Sequence, residues 1–326
     1  MKYIKTNSED PYYNLAFEEF VLRNFKDDDY VLLWQNDNAI VFGVNQNPLQ
    51  EINMEIADEM GVKIVRRSTG GGAVYHDLGN LNFSYITDWD GDRDANYAEF
   101  LAPIIAAFAK IGLKVELKGR NDLILEGKKI SGSAQRLLNG RILHHGTLLI
   151  NSDLTKIGKV LNVSEDKIKS KGIKSVKSRV TNISQWCEEE VNVEDIKRLL
   201  LDSWFDGDIN EIRMSDDDLQ EISKLAEWKY RSWDWTYARS PKFSMINKQR
   251  FSGGSIELNL EIEEGNIKDC LINGDFLSLG DVSEVEERLK GTKYDKEAIA
   301  EILDKLKLNL YFGNITKEEI LSCFKQ

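Results

Sequence analysis

Three consecutive glycines, Gly70-Gly71-Gly72, separate an apolar run, Val62-Lys63-Ile64-Val65, from Ala73-Val74-Tyr75-His76. The apolar run reads as a strand end, so the glycines form the loop that leaves it. Lacking Cβ atoms, they let the chain turn sharply and let backbone N–H groups approach a ligand closely. Arg66 and Arg67 stand just upstream, followed by Ser68 and Thr69. A guanidinium meets anionic oxygens in fork geometry. Together with successive N–H groups it makes a cradle for phosphate or carboxylate. The spacing fits neither a Walker A loop nor a dinucleotide fingerprint. A tight glycine turn with solvated arginines is the plainer alternative.

The composition narrows the class. The chain has 326 residues, of which 41% are hydrophobic, enough for one large domain or two ordinary ones with a substantial core. A net charge of −12 argues against bulk binding of nucleic acid or anionic membrane. No apolar run approaches a membrane span, and Met1-Lys2-Tyr3-Ile4-Lys5 lacks the apolar stretch of a signal peptide. Cys187, Cys270 and Cys323 are odd in number and widely spaced, which disfavours a disulfide framework or zinc site and fits a reducing cytoplasm.

Asp10-Pro11 reads as an N-cap and first helical position, with Leu15, Phe20, Val21 and Phe25 near helical spacing. Tyr30–Trp34 and Ala39–Val44 read as strands joined by a short Asn-Asp-Asn turn, and Leu81–Thr87 as another. Asp94 is the expected cap of a second helix, with Leu101, Ile104, Ile105, Phe108 and Ile111 on one face and Gly112 as its stop. Further strands are expected at Val115–Leu117, Asp122–Leu125 and Leu143–Ile150, and helices at Val193–Trp204 and Asp217–Tyr230, the latter capped by Ser215. Hairpins with few intervening helices argue for a mixed sheet. Ser240-Pro241-Lys242 marks a break. Beyond it a hairpin over Gly254–Ile262 and Ile267–Phe276 is followed by helices at Val282–Leu289, Lys296–Leu306 and Lys317–Phe324, an α+β module of its own. Trp228, Trp233 and Trp235 are expected to pack where the two parts meet.

Two further blocks carry chemistry: Asn121-Asp122 followed by Lys129-Ile130-Ser131-Gly132-Ser133-Ala134-Gln135-Arg136, and His144-His145-Gly146-Thr147-Leu148-Leu149. With Arg66–Val74 they resemble, in order and separation, the blocks of the lipoate–protein ligase A family within the biotin/lipoate ligase superfamily. The likeness extends through Trp34-Gln35-Asn36, Asn45-Gln46-Asn47-Pro48, His76–Asn80 and Lys171–Val176, and reaches past residue 240. It implies an α/β (α+β) fold: a mixed-sheet catalytic domain over 1–243, its core about 27–214, a linker at 240–248, and a smaller α+β C-terminal domain over 249–326 that changes orientation on a hinge near Arg239–Gln249.

The resemblance also implies a reaction. ATP, with Mg2+, activates lipoate to lipoyl-AMP, and the lipoyl group then passes to a lysine of an acceptor, the glycine cleavage H protein or an E2 subunit of a 2-oxoacid dehydrogenase. Lys129 is the expected catalytic residue, touching carboxyl and phosphate. Its neighbour Lys128 is the obvious misassignment, and motif register favours Lys129. Arg67, Gly72, Ala73, Val74, Tyr75, Asn80 and Asp122 are expected at the nucleotide, with Asp122 also a candidate magnesium ligand or a plain turn residue. Ser68, Thr69, Gly70, Gly71, Ser131 and His145 are expected at lipoate. Lys171, Gly172, Ser175 and Val176 belong to a loop that covers the adenylate, inside a basic stretch running from Lys156 to Arg179 that could also steer an acidic acceptor. His76 and His144 are as readily structural. A monomer is the default. The alternatives are an ATP-independent lipoyl or octanoyl transferase of the same fold, and a non-catalytic lipoate binder.

Overall fold

The computed structural model describes residues 1–89, 96–161, 179–237, 245–263 and 265–324. Its largest sheet has eight strands: β1 (Lys2–Ile4), β2 (Tyr30–Trp34), β6 (Asn80–Asp88), β7 (Val115–Lys118), β8 (Asp122–Leu125), β9 (Lys128–Leu138), β10 (Arg141–Leu149) and β11 (Glu211–Ile212), in the spatial order β11-β1-β2-β6-β10-β9-β8-β7. A small sheet places β3 (Ala39–Phe42) between β4 (Lys63–Arg66) and β5 (Val74–His76). The C-terminal sheet is a meander of β12 (Met245–Phe251), β13 (Gly254–Glu263) and β14 (Asn266–Gly274). Parallel and antiparallel pairs coexist, so the expected mixed-sheet architecture holds.

Alternation decides how the large sheet is covered. Successive side chains of a strand point to opposite faces. Val31 and Leu33 of β2 pack with Leu101, Ile104 and Phe108 of the helix Tyr97–Lys110 and with Ile196 and Leu200 of the helix Val193–Phe205. Tyr30, Leu32 and Trp34 face the other way, onto Leu15, Phe17 and Val21 of the helix Pro11–Asn24. The strand is buried on both faces, which is why it reads as an unbroken apolar run. The first helix is capped as expected, with Asp10 accepting from the Tyr12 N–H and Pro11 in the first turn. In the C-terminal part, Leu258, Leu260 and Ile272 form a separate core with Val285, Leu289, Ile299 and Phe312.

Several expectations need correction. The helix at Tyr97 is capped by Asn96, whose side chain accepts from the Ala98 N–H; Asp94 lies outside the described residues. Ile111 is 41% exposed and not part of the apolar face. Strands β2 and β3 do not form a hairpin. The intervening turn is tied elsewhere: Asn38 Nδ2 donates to the carbonyls of Met60 and Gly61, and the Asn36 side chain bonds Asn14 and His76. Trp228 and Trp233 are 68% and 66% exposed, so they pack at no junction. The wide π turn Ala226–Tyr230 buries Ala226, Lys229 and Tyr230 and leaves Trp228 outside. Lys229 is held by Glu19 of the first helix at 2.6 Å. Burial pushes the Glu19 carboxyl up, but Lys229 and the hydrogen bonds from Lys229 and Tyr230 hold it at about 2. Of the expected linker and hinge, 239–244 lies outside the described residues, and β12 begins at Met245 and pairs with β13.

His144 belongs to the core. Its ring stacks on Phe100 at 4.9 Å and on Phe83 at 5.9 Å, and Gln135 Nε2 donates to Nδ1 at 2.9 Å. Burial, then the neighbouring His145, lowers its pKa to about 3. His76 is lowered to about 3 by burial, then by Arg67 and His145. Rings with folded values below the unfolded 6.5 contribute stability that is fully present above pH 6.5 and lost as pH falls toward 3. Between pH 7.5 and 5 each ring should cost about 2 kcal/mol. Urea unfolding at the two pH values checks this, and His144→Phe, which keeps an aromatic ring in the stack, should remove roughly half of the pH-dependent loss.

Candidate active site

A cleft of about 1270 Å³ opens between the glycine loop, the ends of β8, β9 and β10, and the C-terminal sheet. That volume exceeds the roughly 300–1,000 Å³ of a single small-molecule site. Its deep end is walled by Leu15, Trp34, Val41 and Ala134, and its mouth by Arg120, Asp122, Lys129 and residues 248–255.

Lys129 owes its aim to a bulge. Leu123 pairs with Ser131 and Ile124 with Lys129, so Ile130 is one residue too many on β9. In a regular strand, residues three apart stand on opposite faces. The extra residue brings Lys129 onto the face of Gly132. A Cβ at Gly132 would lie 2.8 Å from the Lys129 ammonium, so the glycine leaves the space that the ammonium fills. Lys129 reaches Asp122, directly opposite Gly132, at 2.7 Å and stays 39% exposed to the cleft. The motif is therefore the body of an eleven-residue strand, not a loop between strands.

Opposite lies the glycine loop. Gly71 has φ +89°, a conformation that glycine alone adopts at little cost. The two preceding arginines have opposite fates. Arg66 donates to the carbonyls of Val44, Gln46, Trp235 and Thr236 and stacks on Phe42, away from the cleft. Arg67 lines the cleft and donates to Val41 O at 3.1 Å and to Thr69 Oγ1 at 2.9 Å. Burial lowers its pKa to about 10, so it remains cationic at neutral pH.

A buried row of hydrogen bonds continues from Arg67. Thr69 Oγ1 lies 2.8 Å from His145 Nε2, and His145 Nδ1 lies 2.8 Å from the Glu18 carboxylate. Glu18 also accepts from Ser84 Oγ at 2.6 Å, which accepts from Trp34 Nε1 at 2.9 Å. A carboxylate only accepts, so Nδ1 carries the proton, and in the neutral ring Nε2 then accepts from Thr69. Sequence reasoning missed Glu18 and Ser84. The signal available was Glu18-Glu19 set inside the apolar Ala16-Phe17 and Phe20-Val21.

Of the expected site residues, the cleft brings together Arg67, Gly71, Gly72, Ala73, Val74, Asp122, Lys129 and His145. Ser68, Thr69, Gly70 and Ser131 are buried behind its wall. Tyr75 turns its hydroxyl to Asn38, away from the cleft. Asn80 donates to Asn82, and Asn82 is the residue that faces the cleft. Lys171, Gly172, Ser175 and Val176 lie outside the described residues. Among the described residues no group of three or more His, Cys, Asp or Glu could hold a metal by itself. The C-terminal part contributes Lys248, Arg250, Asp275 and Leu277. Its backbone also touches the loop, where Gly71 N–H donates to Phe276 O at 3.0 Å.

The sequence profile of the lipoyl protein ligase A/B catalytic domain matches residues 10–205, and that of the bacterial lipoate protein ligase C-terminus matches residues 240–324. The chain belongs to the lipoate–protein ligase family. It is 45% identical over 320 residues to the lipoate-protein ligase LplJ of Bacillus subtilis (strain 168), with 97% of each chain covered. The structure of P. falciparum LipL1 in complex with lipoate is similar at a TM-score of 0.81 and 28% identity, covering 98% of this chain and 97% of that one. A bi-partite lipoate protein ligase from Thermoplasma acidophilum, described with its E2 lipoyl domain, is similar at a TM-score of 0.66 and 26% identity, covering 75% of this chain and 98% of that one.

The seat of Lys129 makes a sharp prediction. Gly132→Ala should leave the fold intact, because the new methyl meets only the far end of a flexible side chain. The melting temperature should shift by less than about 4 °C. Turnover should fall on the order of tenfold to a hundredfold, because the ammonium is displaced. Thermal unfolding beside steady-state kinetics checks both halves.

Proposed function

We propose that this chain is an ATP-dependent lipoate–protein ligase. The lipoate carboxylate attacks the α-phosphorus of ATP, pyrophosphate leaves, and the lysine amine of an acceptor domain then takes the lipoyl carbonyl with loss of AMP. The observation that carries this reading is the Lys129 ammonium. It is partly exposed, seated over Gly132 and facing a cleft that also holds the glycine loop and Arg67. Both steps bring anions together, and a fixed cation at their meeting point offsets the repulsion and stabilises the developing charge. Asp122 holds Lys129 in place beforehand.

The apolar end at Leu15, Trp34 and Val41 suits the acyl chain, with Gly71 and His145 beside it. Ser68, Thr69, Gly70 and Ser131 support that wall from behind. Arg67 and the backbone of Gly72, Ala73 and Val74 suit the nucleotide, shaped by Tyr75 and Asn80. Magnesium is held by one or two carboxylates together with substrate phosphates, and Asp122 is our candidate for such a ligand, where the ion would neutralise phosphate charge. The acceptors are lipoyl domains of the H protein and E2 type, a class supported by the Thermoplasma relative's description with an E2 lipoyl domain. All three cysteines are free thiols, which suits the cytoplasm. None of them lines the cleft, which disfavours a cysteine-based acyltransferase. We read residues 1–243 as the catalytic domain and 249–326 as the accessory domain, which moves between the two steps.

Lipoate-dependent ATP–pyrophosphate exchange tests the reading, with wild type beside Lys129→Ala. The wild type should exchange only with lipoate present, and the variant should lose on the order of 10²–10³ in rate. A folded wild type without exchange would sink the ligase reading.

A further inference from the structure

The turn between β7 and β8 holds a cation to which the chemistry above gives no role. Gly119, at φ +65°, makes the turn, and Arg120 follows it. The next residue locks the turn to β9: Asn121 Nδ2 donates to Ser133 O at 2.7 Å, and the Ser133 N–H and Oγ donate back to Asn121 O at 3.0 and 3.1 Å. Arg120 is thereby held half-buried in the cleft wall. Its Nη1 is screened from solvent and has no hydrogen-bond partner among the described residues. Its Nη2 has one long contact, 3.4 Å, to Gly253 O of the accessory sheet. The neighbouring cations differ. Lys248 reaches Glu257 at 3.5 Å, and Arg250 reaches Asp275 at 3.2 Å.

A buried guanidinium nitrogen without an acceptor is costly, and native structures rarely keep one without a use. This one is also given room. Gly313 of the accessory domain lies against it, and a Cβ there would stand 2.6 Å from Nη1 and 2.6 Å from Leu277 O. Leu277 in turn lies against Gly71 of the glycine loop. Arg120 therefore lines the same cleft as the loop, two residues from the carboxylate that holds Lys129, with the accessory domain against it. Were Lys129 at the carboxyl and α-phosphate, a cation further along the same cleft wall would meet the β- and γ-phosphates.

We propose that Arg120 is a nucleotide-binding residue shared by the two domains, its under-bonded guanidinium taking an oxygen of the departing pyrophosphate while keeping its contact with the accessory turn at Gly253. The proposal rests on the ligase reading, but its test does not. Pyrophosphate and ATP are titrated calorimetrically into full-length wild type, Arg120→Gln and Arg120→Lys, alongside exchange kinetics and transfer from synthetic lipoyl-adenylate to an acceptor lipoyl domain. The glutamine variant should weaken pyrophosphate binding and raise the KM for ATP about tenfold or more. It should leave the KM for lipoate and transfer from the adenylate within about twofold. Lysine should recover part of the loss. Equal pyrophosphate affinity in wild type and variants, or an equal loss in adenylate transfer, overturns the proposal and leaves Arg120 a piece of the interface. A wild type that binds no pyrophosphate overturns it as well. If wild type fails only in exchange, the ligase reading falls while the pyrophosphate titration still decides Arg120. Should the glutamine variant fail to fold, the lysine variant carries the same comparison.

Discussion

The buried row Trp34–Ser84–Glu18–His145–Thr69–Arg67 is the interaction on which the catalytic half depends. Its members come from β2, β6, the first helix, β10 and the glycine loop, so one hydrogen-bonded chain fixes five segments against one another. With His145 neutral, each link runs from donor to acceptor toward the Glu18 carboxylate. Removing any member strands a buried partner, which costs more than the lost bond. The row also explains why a threonine serves in the loop. What it needs there is a hydroxyl that accepts from Arg67 and donates to His145.

How much of this was legible in the sequence follows from the range of each interaction. The glycine loop, Lys129 and His145 were readable because their chemistry is written in contiguous blocks. The resemblance singled out Arg67, which does line the cleft, but the residues by themselves did not separate it from Arg66, since adjacent residues on a strand face opposite sides and only the fold says which side holds the cleft. The strand β9 was missed for a related reason. Ser-Gly-Ser reads as a loop, yet Gly132 is there to admit an ammonium and not to turn the chain. The bulge at Ile130 leaves no signature in composition, because it is defined by what pairs with β8. Asn80 was expected at the ligand for its place in a motif, but it stands at the first position of β6 on the same face as Asn82, spends its side chain on Asn82, and leaves the cleft to that residue.

The C-terminal contribution was the least legible. Phe276, Leu277 and Ser278 lie about two hundred positions from the glycines they touch. Nothing in Gly274-Asp275-Phe276-Leu277 announces that a carbonyl will face Gly71. The separate core of that part was readable from its own periodicity, whereas its seat on the catalytic part was not. Trp228 and Trp233 gave a false lead, since bulk and aromaticity suggested packing, whereas the wide turn leaves Trp228 outside and Trp233 stands exposed at the start of the next helix.

The contact between Gly71 N–H and Phe276 O has a thermodynamic corollary. A donor has one proton to give, so a ligand oxygen that takes it competes with the accessory domain for the same atom. Binding and docking are then two sides of one equilibrium, and each changes the other by the same factor. A ligand that takes this N–H would thus be held more tightly when the domain is loosened, and in binding would weaken the domain's hold.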